Sequence, residues 1–401
     1  MIRLSLLSAL SAAMIMAGGC RRSAAPVAPD DACPADSLAE VSAPDAALIW
    51  ADSIIAGMTL EEMAGQLVMP AVYSKADRVS IRSLGEYVAD CKIGGVVLLK
   101  GTSDAARIIS DTLSAMMRVP PFVAIDAEWG LAMRLEDMPR YPRNGKISPK
   151  VEEELMYDYG YEVARESRTS GINMVLGPVL DVLPKGKSDP GGVIGSRSFG
   201  SDPERAARLG CAYARGVEDG GAISVAKHFP GHGSADADSH VRLPEVRKSL
   251  THLEKEDLLP FRRYIDAGLS GVMTAHLHAP ALDSVVRPVT VSPEVLDSLL
   301  RKRMGFTGLV ITDAINMRGA GGASAADAII AGADLVLAPS DTRTEIAGIC
   351  NAVRRGQLDS SVLRDRVRRV LRYKYVFLME DEFRRAADPE EAARIGRKLL
   401  D

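Results

Sequence analysis

Lys227-His228-Phe229-Pro230-Gly231-His232-Gly233 and, four residues on, Asp238-Ser239-His240 concentrate more ionisable chemistry than any other stretch of this chain. Three of its six histidines, one lysine and the acids Asp236 and Asp238 fall here. Imidazoles exchange protons near neutrality, carboxylates fix which ring nitrogen carries the proton, and a lysine binds oxygen-rich ligands. The block follows the apolar run Ala222–Ala226, so its polar groups would emerge from the end of a buried strand. A glycine–proline turn with solvated histidines is the plainer reading. So many titratable groups in one loop favour an active site instead.

Stepping along the chain, apolar runs recur at Gln66–Met69, Gly95–Leu99, Phe122–Ile125, Ile172–Leu176, Ile223–Ala226, Gly271–Thr274, Leu309–Thr312 and Asp334–Leu337. They lack polar alternation, as strands buried on both faces of a parallel sheet do. Helical periodicity fills the intervals, for example at Pro203–Asp219, Glu254–Ala267, Ser292–Arg303 and Thr342–Arg355, with Ser292 as an N-cap before Pro293. Ser361–Met379 reads as an amphipathic closing helix. The pattern predicts an α/β chain, a (β/α)8 TIM barrel with a single catalytic domain. An open doubly wound sheet is the alternative, but no glycine-rich dinucleotide fingerprint supports it. In such a barrel, functional groups gather where strands end. Asp126, Asp181, Lys227, His228, His276 and Asp313 all stand at such ends.

The same residues carry a resemblance. The block from Lys227 to His240, with Met58-Thr59-Leu60-Glu61-Glu62, Gly195-Ser196-Arg197-Ser198-Phe199-Gly200, Val272-Met273-Thr274-Ala275-His276 and Thr312-Asp313, resembles family 3 glycoside hydrolases of the β-N-acetylglucosaminidase branch. The resemblance extends over most of the chain beyond residue 45. It implies hydrolysis of a terminal β-linked GlcNAc with retention, Asp313 as nucleophile, and His240 as acid/base oriented by Asp238. Asp126, Arg134, Arg197, Lys227 and His228 match positions that hold the sugar. Neither cofactor nor metal is implied. Two departures stand out: Thr312-Asp313-Ala314-Ile315 where relatives carry Ser-Asp-Asp-Leu, and Asp126-Ala127-Glu128-Trp129-Gly130 where they carry Asp-Gln-Glu-Gly-Gly. The second puts one of the two tryptophans beside the sugar-binding positions.

The ends and composition narrow the setting. Arg3, the apolar Leu4–Ala17 and Ala17-Gly18-Gly19-Cys20 read as a lipoprotein signal over residues 1–20. Lipidated Cys20 would anchor the chain to a membrane through a flexible Pro/Ala/Ser/Asp tether over 21–45, at the periplasmic or outer cell surface; plain secretory cleavage is the alternative. Residues 46–380 would form the catalytic domain and 381–401 a polar helical tail. Formal net charge of −4, with 49 basic and 53 acidic residues, leaves no basic stripe for nucleic acid. The scattered cysteines Cys33, Cys91, Cys211 and Cys350 show no metal or disulfide spacing. The family resemblance makes a carbohydrate the expected partner, with peptidoglycan fragments as its source because that branch acts there. Alternatives are a β-glucosidase-type or phosphate-using member of the family, a non-catalytic sugar-binding lipoprotein, and a metal-dependent barrel hydrolase built on His228, His232, His240, His276 and His278.

Overall fold

The computed structural model describes residues 46–186, 192–379 and 389–401. The signal, the tether with Cys20 and Cys33, and the first part of the tail lie outside the described residues. Among the described residues, nine parallel strands form the centre: β1 (Val68–Met69), β2 (Ala71–Ser74), β3 (Gly95–Gly101), β4 (Phe122–Ile125), β5 (Met174–Val175), β6 (Ile223–Phe229), β7 (Gly271–Thr274), β8 (Leu309–Thr312) and β9 (Val336–Leu337). β2 to β8 pair in sequence order as one seven-stranded sheet, and β1 pairs with β9. Backbone bonds connect the two groups. Thr312 N donates to Leu335 O at 2.9 Å, and Gly94 N donates to Val68 O at 3.1 Å. The architecture is a TIM-barrel-like α/β fold. Every residue of β4, β6, β7 and β8 is buried, which explains apolar runs without alternation.

Element boundaries differ from the sequence expectation where a local group interrupts the ladder. The first run was expected at Gln66–Met69; it begins at Val68, stops at Pro70 and resumes as β2. Proline has no N–H for the ladder, so the strand breaks there. Gln66 instead turns its side chain to the carbonyls of Lys92 and Ile93.

Helices cover the sheet: α1 (Ala46–Ala56), α2 (Leu60–Gly65), α3 (Arg78–Glu86), α4 (Ser103–Met116), α5 (Glu153–Thr169), α6 (Pro203–Asp219), α7 (Leu250–His252), α8 (Leu258–Asp266), α9 (Ala325–Ala331), α10 (Thr342–Arg354), α11 (Ser360–Leu378) and α12 (Pro389–Lys398). Their starts are legible in local chemistry. Thr59 and Glu62 form a capping box, Asp202 caps α6 with Pro203 at its first position, and Ser292 accepts from Val295 N ahead of the wider turns of Glu294–Arg303. The expected helix Glu254–Ala267 is split, with wider turns at Leu253–Asp257 preceding α8. α11 packs along α1. α12 lies in the segment read as a polar tail, yet it is docked. Ala392, Ile395 and Leu399 are buried at helical spacing, and the helix packs on α5. Cys91, Cys211 and Cys350 are buried, and none is in a disulfide among the described residues.

Candidate active site

Strand ends build the site. β4 delivers Asp126, with Glu128 two residues later, and the chain then turns at Gly130 with φ +82°. A side chain there would also strike the Tyr141 ring, so only glycine allows this return. β6 delivers Lys227 and His228, joined by a cis peptide bond. β8 ends one residue before Asp313. These groups line one cleft of about 310 Å³ together with Arg134, Arg197, His232, Ser239 and His240 on the connecting loops. That volume lies at the small end for ligand sites and suits one sugar ring.

The floor is an ionic chain. Lys227 Nζ lies 2.7 Å from Asp126 Oδ1 and 2.9 Å from Glu128 Oε1. Arg134 pairs with the second oxygen of Asp126. Arg197 donates to Glu128 through Nη2 at 2.6 Å and Nε at 2.8 Å, a bidentate clamp. Lys227 and Glu128 side chains are only 2% and 1% exposed, so unpaired charge would be costly. Burial raises the carboxyls of Asp126 and Glu128, but the neighbouring cations outweigh it. Asp126 is held well below the usual range and Glu128 at about 2. Burial likewise opposes the charge on Lys227, and Asp126 and Glu128 reverse that effect.

A second unit sits beside it. Asp181 is fully buried; it accepts from His232 N at 2.6 Å, from His228 N at 3.2 Å, and from His228 Nδ1 at 2.7 Å. The other ring nitrogen of His228 faces Arg197 Nη2 at 3.3 Å. A guanidinium only donates, so His228 Nε2 accepts and Nδ1 carries the proton to Asp181. Burial opposes ionisation of Asp181, and the interaction with His228 overcomes it, bringing the carboxyl to about 2.

Asp313 is fixed by its neighbours. Its Oδ1 accepts from Ala314 N at 2.7 Å, and its own N–H reaches Thr274 O at 3.2 Å. His276 Nε2 meets Ala314 O at 3.1 Å, while its Nδ1 meets Thr290 Oγ1 at 2.8 Å. The carbonyl accepts only, so Nε2 carries the hydrogen and the threonine donates to Nδ1. Burial lowers the His276 pKa, in keeping with a neutral ring.

His240 stands apart on an exposed loop, its side chain 66% exposed. Asp238 Oδ1 accepts from both His240 N and Nδ1 at 2.8 Å, leaving Nε2 unengaged. Ser239 O accepts from Gly319 N at 2.7 Å, which ties this loop to the segment after β8.

Each sequence-predicted site residue within the described residues lines this cleft except Asp238, which bonds His240 beside it. Glu128 and Asp181 are the groups that sequence reasoning did not assign. Glu128 had one signal, its place two residues after a strand-end aspartate. Asp181 stood after a proline at a strand end, where bracing and function read alike. His232 has no hydrogen-bond partner at either ring nitrogen, and burial lowers its pKa. His278 Nε2 meets Asp283 O at 3.0 Å. Among the described residues, no group of three or more His, Cys, Asp or Glu is placed to hold a metal ion.

Comparison with known proteins places this geometry. The profile described as the glycosyl hydrolase family 3 N terminal domain matches residues 59–373. A β-hexosaminidase of Thiobacillus denitrificans is 35% identical over 274 residues, covering 66% of this chain and 73% of the relative. A β-hexosaminidase of Nitrosospira multiformis is 36% identical over 260 residues, covering 61% and 73%. The solved family 3 β-N-acetylglucosaminidase from Paenibacillus sp. str. FPU-7 superposes with a TM-score of 0.77 at 29% identity, covering 86% of this chain and 68% of that one. A β-glucoside phosphorylase bound to 2FGlc shares the fold, with a TM-score of 0.78 at 22% identity over 88% of this chain and 66% of its own.

Proposed function

The chain belongs to glycoside hydrolase family 3, and on that premise we propose that it is a retaining exo-β-N-acetylhexosaminidase that removes terminal β-linked GlcNAc. The observation that carries this reading is one cleft lined by both the strand-end carboxylate Asp313 and the loop-borne His240, whose ring bonds Asp238. The Asp126–Lys227–Glu128–Arg197 chain and His228 offer donors and acceptors to sugar hydroxyls and the acetamide. Asp313 Oδ2 attacks the anomeric carbon while His240 gives its proton to the leaving oxygen. The aglycone departs. A water then gives its proton to His240 and attacks the glycosyl–Asp313 ester, returning the β-anomer. A histidine acid/base near neutrality avoids a second carboxylate beside the nucleophile.

Peptidoglycan fragments are the proposed source of substrate. Export and anchoring through Cys20, with residues 46–380 as the catalytic domain, complete the reading. β1 and β2 count as one strand interrupted at Pro70, which gives eight strands and a closed (β/α)8 barrel. The deciding test is trapping with a 2-deoxy-2-fluoro glycoside bearing a good leaving group. Mass spectrometry should place the label on Asp313, and Asp313→Ala should lose turnover by several orders of magnitude. A label elsewhere overturns the mechanism. For the anchor, Cys20→Ser should abolish lipid labelling and release the protein from membranes; unchanged membrane association refutes it.

A further inference from the structure

Among the described residues, four basic side chains line the cleft: Arg134, Arg143, Arg197 and Lys227. Arg134 is matched by Asp126, Arg197 by Glu128, and Lys227 by both. Arg143 has no acidic partner among the described residues. Its guanidinium lies over the Trp129 ring, 4.5 Å from the centroid, and Nη1 donates to Ser196 Oγ at 3.2 Å. Stacking on the indole and the serine bond hold the guanidinium plane, while Nη2 and Nε stay uncommitted. Two adjacent N–H donors on a held plane are the geometry that grips a carboxylate.

Position separates this pair from the sugar-holding groups. Lys227 and Glu128 are buried at the floor, whereas Trp129 is half-buried and Arg143 exposed. An exo-acting enzyme keeps the terminal sugar at the floor, so the mouth faces the leaving group. A neutral N-acetylated sugar with a neutral leaving group has no use for this extra cation.

We infer that Trp129 and Arg143 form a subsite for a carboxylate on the leaving group, so that the enzyme prefers anionic aglycones. The inference rests on the hexosaminidase reading above and adds the class of leaving group to it. Inorganic phosphate is the other anion with matching chemistry, as a co-substrate, and the test separates the two.

The test uses two β-GlcNAc disaccharides that differ only at the reducing sugar, one carrying a carboxymethyl ether and the other its amide. Neutral p-nitrophenyl β-GlcNAc serves as the reference. Wild-type enzyme should show kcat/KM about tenfold higher for the acid than for the amide, the order a charge-assisted hydrogen bond contributes. The ratio should shrink in 0.5 M salt. It should fall toward one in Arg143→Gln, and fall partway in Trp129→Ala, which removes the platform. A wild-type ratio near one, or a tenfold ratio kept in Arg143→Gln, overturns the subsite. Sugar 1-phosphate formed in a phosphate-dependent reaction that Arg143→Gln abolishes assigns the arginine to phosphate and also overturns it. Wild-type failure on the neutral glycoside and on both disaccharides would instead refute the hexosaminidase reading itself.

Discussion

Asp181→Asn separates the charge of the buried carboxylate from its shape. In the wild type, Oδ1 serves the N–H groups of His232 and His228, and Oδ2 serves His228 Nδ1. An asparagine keeps its oxygen on the two backbone donors and presents its amide to His228, placing donor against donor. The ring then shifts its proton to Nε2, which faces Arg197 Nη2 at 3.3 Å, another donor. Two costs follow. The carboxyl titrates at about 2 against an ordinary 3.8, a gap worth about 2 kcal/mol at neutral pH. One mismatched buried contact adds about 1 kcal/mol or more. The total of about 3 kcal/mol corresponds to a Tm lower by roughly 4 °C for a domain of this size. The wild-type contribution is present above pH 3.8 and is lost as pH falls through the folded value. The variant should therefore also lack that part of the acid-unfolding limb. Turnover of p-nitrophenyl β-GlcNAc should drop about 10- to 100-fold in kcat/KM, because His228 no longer accepts from Arg197. Thermal unfolding across pH 2–7 and steady-state kinetics report the two effects separately. A variant within about 0.5 kcal/mol of wild type and equally active would refute the tautomer argument.

Further outcomes are expected. His276→Ala should slow formation of the covalent intermediate about tenfold or more with little change in KM, since it loosens Ala314 beside Asp313. His276→Gln, whose amide nitrogen can donate to the same carbonyl, should recover most of the rate in pre-steady-state trapping. Gly319→Ala would place a Cβ 2.6 Å from Ser239 O and so displace the His240 loop. Its loss should be greater for alkyl than for nitrophenyl glycosides, which need little proton donation, and equal losses would argue against a proton-transfer role for His240. Burial pushes Glu218 up to about 7 from 4.5, so the folded state keeps a proton that the unfolded chain has shed. Stability should therefore fall as pH rises through that window, by up to about 3 kcal/mol. Glu218→Gln should flatten that slope in urea unfolding.

The strands were legible because parallel strands buried on both faces leave unbroken apolar runs, and α6 kept its sequence-expected limits because Asp202 and Pro203 mark its start. Boundaries were lost where a single group decides, as at Pro70. The cleft residues were named from motif and strand-end position, but their mutual engagement was not. Asp126 was read as a sugar-holding residue, but its pairing with Lys227 and Arg134 was not foreseen. Glu128 meets Arg197 across 69 positions of sequence. Such pairings arise from closure of the sheet and leave no local trace. The tail looked polar because charged residues separate its apolar ones, yet the buried Ala392, Ile395 and Leu399, about one per turn, are enough to dock a helix on α5.

The floor of the cleft is saturated before any sugar arrives. Each acid there is shared between two cations, so an incoming hydroxyl joins contacts already made and rescues no stranded charge. Such a site gives up little when it empties. Free monosaccharide should therefore be a weak inhibitor, and the enzyme should keep working as product accumulates around it. Tight retention would demand an unmet charge, and the floor of this cleft contains none.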